Sequence, residues 1–87
     1  MNDDVFLDRL KIKIEKMTGR PVDLIVDYDV DDRLMVDLED EIPKVTLGSA
    51  VLQYPGFARM CLEYVIASIS KGRAVDTLEF HVILGRN

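Results

Sequence analysis

A chain of 87 residues with 48 % apolar and 31 % charged side chains has room for one folded domain, residues 1–87, and its balance argues against intrinsic disorder. A formal net charge of −5 disfavours nucleic-acid binding, which draws its affinity from cationic neutralisation of phosphates. The lone Cys61 excludes an internal disulfide, the acidic start MNDDVF lacks the basic region of a secretory leader, and no apolar run is long enough to cross a membrane, so the expectation is a cytoplasmic chain without membrane contact.

Residues 3–18 read as a first helix. Phe6, Leu10, Ile14 and Met17 recur at helical spacing, with Val5, Leu7 and Ile12 widening the stripe, and Asp3, Asp4 and Asp8 suit the positive end of the dipole. Lys11 and Glu15 make an i,i+4 pair on the wet side, and Thr18-Gly19-Arg20-Pro21 stops the helix. Val22 to Tyr28 alternates and is rich in β-branched residues, which predicts a strand with Val22, Leu24, Val26 and Tyr28 turned inward. Arg33 to Glu39 alternates again, with Leu34, Val36 and Leu38 inward. A tight hairpin between these strands would set Tyr28 opposite Asp32, Ile25 against Met35 and Asp27 against Arg33; a register two residues longer is also open.

Ile42-Pro43 interrupts the pattern, because proline cannot donate inside a sheet, and Lys44 to Leu47 follows as a short third strand. Gly48 to Tyr54 reads as a loop in preference to a returning hairpin strand. Pro55 to Lys71 is the second helix and the anchor of the fold. Proline suits its first turn and Gly72 suits the position just past its end. Phe57, Cys61, Tyr64, Val65 and Ile69 form its apolar stripe, and Ala58, Leu62, Ile66 and Ala67 broaden it. Thr77 to Leu84 alternates as a last strand, with Glu79, His81 and Ile83 facing outward. The element order αβββαβ predicts an α+β fold, two helices packed on one face of a mainly antiparallel sheet of about four strands.

Charge is distributed unevenly. Residues 23–41 hold nine acids against one base, a balance of −8, and the ten bases and seven acids elsewhere leave +3. Within that segment Asp27, Asp29, Asp31 and Asp32 offer oxygen ligands at the spacing a hard cation accepts. A calcium loop would need glycine where Asp32 stands and a bidentate glutamate where Leu38 stands. Cys61 and His81 are the sole candidates for a nucleophile and base, and the strand and helix patterns put them on opposite sides of the sheet. No glycine cluster matches a phosphate-binding loop, and no motif implies a cofactor or small molecule. The order αβββα is also that of double-stranded-RNA-binding domains, but this second helix opens with Phe57-Ala58-Arg59 where a lysine cluster would be needed.

What remains is the outer sheet face, where Ile25, Met35 and Ile83 stand among Asp23, Asp27, Asp37, Thr46, Glu79 and His81. An apolar centre ringed by charge is how many interfaces are built. The expectation is a non-catalytic interaction or regulatory module, a homodimer or part of an assembly, in which Ile25, Met35, Ile83, His81, Asp27 and Asp31 contact a partner and the acidic segment faces a basic surface. The alternative is a divalent-metal-binding protein or metal-dependent enzyme using Asp27, Asp29, Asp31 and Asp32.

Overall fold

A computed structural model describes residues 3–79. In chain order these form α1 (Asp3–Thr18), β1 (Asp23–Asp27), β2 (Arg33–Asp37), β3 (Lys44–Gly48), a 3-10 turn (Ser49–Leu52), α2 (Pro55–Lys71) and β4 (Val75–Glu79). The strands make one mixed sheet in the order β1-β3-β2-β4, with both helices on one face. Two of its three pairings are antiparallel, β2 with β3 and β2 with β4, and β1 runs parallel to β3.

The tight β1–β2 hairpin expected from sequence does not exist. β3 lies between the two strands, with Asp23 paired to Lys44 on one side and Asp37 paired to the same Lys44 on the other. Residues 28–32 therefore cross the end of β3 rather than turn back beside β1. The passage is close: a Cβ on Gly48 would sit 2.4 Å from the Asp31 carbonyl carbon and oxygen and 2.6 Å from the Arg33 nitrogen. Only glycine leaves that space to the crossing backbone. Ser49 and Ala50 N–H groups then donate to the Val30 and Asp31 carbonyls at 3.0 and 2.9 Å, tying the crossing to the 3-10 turn. The segment after Gly48 is thus not a returning strand. Ala50 and Val51 in its turn are buried against α2.

The core is the layer between sheet and helices. Leu34, Val36, Val45 and Leu47 point up from the two central strands to meet Leu10, Ile14, Phe57, Ala58, Cys61, Val65 and Ile69. Each fully buried large side chain contributes roughly 1.5–3 kcal/mol by leaving water. The helical stripes are narrower than their sequences suggest. Met17 is 62 % exposed, Tyr64 is 46 % exposed, and Val5, Ile12 and Ala67 also face solvent. Tyr28, expected inward, is exposed because β1 ends at Asp27 and Tyr28 already belongs to the crossing.

α2 closes as the sequence requires. Gly72 takes a left-handed backbone, φ 67°, and Arg73 and Gly72 N–H groups donate to the Ser68 and Ile69 carbonyls. The buried Ser68 hydroxyl donates to the Arg73 carbonyl and fastens the turn. At the end of α1, Glu15 does more than pair with Lys11: its Oε2 accepts the Val22 N–H at 2.9 Å and fixes the approach to β1. β4 begins at Val75, two residues earlier than expected, and holds one extra residue against β2 between the Val36–Val75 and Leu34–Leu78 pairs. The remainder of the expected strand, residues 80–84, lies outside the described residues.

Candidate functional site

Thr46 on β3 pairs with Ile25 on one side and Met35 on the other. Alternation turns all three away from the helices, so they form one row across the outer face, with Ile25 and Met35 about 10 Å apart at two strand spacings. Ile25 is 53 % exposed, and Met35 and Thr46 are half-buried. Asp23 and Asp27 flank Ile25 along β1, and Asp37 lies one outward position beyond Met35 on β2. His81 and Ile83, expected on the same face, lie outside the described residues.

Asp27 and Arg33 come together by a route the sequence hid. They sit on the strands either side of β3, at the level of Gly48, and with no side chain between them the guanidinium reaches to 3.7 Å from Asp27 Oδ2. Asp27 Oδ1 also accepts the Asp29 N–H at 2.9 Å, a local turn of the kind aspartate favours. Both carboxylate oxygens are thereby occupied in structure. Asp31 contributes its carbonyl to the crossing and Asp32 is 2 % exposed, while Asp29 faces solvent. The four aspartates do not converge, and among the described residues no group of three or more His, Cys, Asp or Glu is placed to hold a metal ion.

The acidic surface continues around β2. A depression of about 530 Å³ lies between β2 and the α2–β4 connection, with Met35, Leu38 and Val75 in its wall and Asp37, Glu39 and Asp76 as its charged groups. Beyond it, Glu39, Asp40, Glu41 and Ile42 are all exposed in the β2–β3 turn. Asp37 Oδ1 accepts the Glu39 N–H at 2.9 Å and Asp40 lies 3.2 Å from Lys44, whose ammonium it holds above its ordinary pKa.

Cys61 sits in mid-α2 with no exposed surface, and burial pushes its thiol up to about 12. A thiol so shielded is a core side chain, since nucleophilic cysteines need a stabilised, accessible thiolate. Sequence reasoning missed a feature of the opposite layer. Phe6, Arg9, Leu10 and Lys13 of α1 and Ala58, Arg59 and Leu62 of α2 line a groove of about 300 Å³, apolar in its floor and basic at its rim. The signal was present in the cations of α1, but only the side-by-side packing of the two helices adds Arg59 to them.

No helix among the described residues is long and apolar enough to cross a membrane. Compared with known proteins, the chain matches no family model, no curated protein and no solved structure.

Proposed function

We propose that this chain is a non-catalytic protein-interaction module whose acidic segment, residues 23–41 with the adjoining Ile42, engages a basic surface on its partner. One observation carries the reading: Ile25, Tyr28 and Ile42 are large apolar side chains, each at least 44 % exposed, in the stretch that holds most of the carboxylates. Scattered exposed apolar residues mean little alone, but set among acids they combine the two terms an interface uses. Charge would steer and orient the encounter, and desolvation of the apolar side chains would hold it.

The structure alters which acids to test. Asp27 and Asp31 serve the crossing, so Asp23 and Asp37 are the better probes of the outer face. The test is recovery of stably bound companions, including other copies of the chain, with the native sequence and with Asp23→Lys, Ile25→Lys and Asp37→Lys combined. Loss of a companion in the variant, and weakening of the native complex by salt, is the expected result. Companions retained equally by both would take the contact off the outer face, whereas no stable companion together with calorimetric heat from Ca²⁺, Mg²⁺, Mn²⁺ or Zn²⁺ would favour the metal-dependent alternative at the Asp27–Asp32 turn.

A further inference from the structure

The groove between α1 and α2 and the turn between β2 and β3 are complementary. The groove presents Arg9, Lys13 and Arg59 around a floor of Phe6, Leu10, Ala58 and Leu62. All three cations are exposed, and none forms an ion pair among the described residues. The β2–β3 turn presents Glu39, Asp40 and Glu41 followed at once by Ile42, which is 44 % exposed. Glu39, Glu41 and Ile42 match in kind the cations and apolar floor of the groove, while Asp40 lies 3.2 Å from Lys44.

A copy cannot satisfy its own groove. The turn is tied to the C-terminal end of α1, where Arg20 donates to the Glu41 carbonyl at 3.0 Å and the Asp23 N–H donates to the Pro43 carbonyl at 2.8 Å. The groove uses the N-terminal half of α1, and from Arg9 to Thr18 the helix rises roughly 14 Å. β2 and β3 pair directly up to Asp37 and Lys44, which leaves the turn no slack to cross that distance.

We infer that the α1–α2 groove receives the Glu39–Ile42 turn of a second copy of this chain, with Ile42 on the apolar floor and the Glu39 and Glu41 carboxylates among Arg9, Lys13 and Arg59. The inference rests on the reading of the acidic segment as an interaction surface and names its basic partner. Because turn and groove are different surfaces, the contact is head-to-tail, and a pair of copies keeps one free turn on one member and one free groove on the other. Copies therefore add in series unless the rotation between them closes a ring. Both surfaces are small, so the association is weak and reversible, and exposed charge pairs make it sensitive to salt.

The test is sedimentation velocity across concentration at low and high ionic strength. The native chain is expected to show a concentration-dependent mass above 9.9 kDa that falls as salt is added. A groove variant (Arg9→Glu, Lys13→Glu, Arg59→Glu) and a turn variant (Glu39→Lys, Asp40→Lys, Glu41→Lys) should each associate at least roughly tenfold more weakly, with unchanged circular dichroism, because every altered side chain is exposed. Mixed together, they should associate again, since the groove variant still owns a native turn and the turn variant a native groove. A mixture that stays monomeric overturns the inference. Association that survives in both variants alone also overturns it, and moves the contact to the outer sheet face with the interaction-module reading intact. A native chain that is monomeric at every concentration overturns it as well, and that reading then stands or falls on the companions recovered with the outer-face variant.

Discussion

The turn at residues 28–32 and the turn at residues 38–43 hold nearly the same chemistry: Asp29, Asp31 and Asp32 in one, Glu39, Asp40 and Glu41 in the other. They lie at opposite ends of β2, and their fates differ. The first crosses the end of β3, gives its carbonyls to Ser49 and Ala50, and buries Asp32. The second joins two adjacent strands, needs nothing from its side chains beyond local contacts, and leaves three acids and Ile42 in water. Composition alone cannot separate a structural acid from a recruiting one. Topology does, because a crossing must pack against what it crosses whereas a hairpin turn projects.

The comparison breaks most sharply at Gly48. Gly48→Ala places a carbon 2.4 Å from the Asp31 backbone, which no side-chain movement relieves, so the crossing must lift. A loss of about 3 kcal/mol or more in urea-denaturation stability is expected, within the range of severe overpacking. Stability unchanged within error would mean that the crossing does not bear on β3.

Cys61 reports on the core between the sheet and the helices. Its thiol is pushed from an ordinary 9.0 to about 12, so the protonated form is favoured by folding. That contribution is complete below pH 9.0 and fades as pH rises toward about 12. Chemical denaturation at increasing pH should show stability falling over that window, with a shallower fall in Cys61→Ala. Modification of the thiol by a disulfide reagent should be slow in the native chain and faster in Gly48→Ala. Rapid reaction in the native chain would place the thiol at the surface.

Asp32→Ala removes a buried carboxylate from the crossing and should cost about 1–3 kcal/mol by thermal denaturation. The turn variant at Glu39, Asp40 and Glu41 should stay within about 0.5 kcal/mol of native, as exposed charges usually do. Equal costs at the two sites would erase the distinction between them.

Much of the fold was legible in the sequence because local signals agreed with one another. Both helices run over the residues their periodicity and end signals indicate, and each strand of the sheet follows an alternating segment. Sheet order was not legible. Asp29-Val30-Asp31 satisfies the chemistry of a tight turn, and nothing local says that β3 will enter between β1 and β2. Gly48 was the available clue, a glycine whose use is a close approach and not a bend. On the candidate site, Ile25 and Met35 were correctly assigned to one face by alternation alone, although a wrong pairing put them side by side rather than across Thr46. The basic groove was beyond reach, since Arg59 joins Arg9 and Lys13 only through helix packing.

The strand order also dictates when the sheet can assemble. β2 and β3 are joined by a short turn and can zip locally, but Asp23 of β1 must wait for Lys44, twenty-one positions later, before it has any neighbour. As the chain emerges from synthesis, β1 is an unpaired strand until β3 arrives. During that interval the charges at its two ends, Asp23 and Asp27, discourage pairing with another chain, which is how natural edges avoid aggregation. The aspartates that lend the finished surface its sign would thus first act as guards on a strand that has not yet found its place.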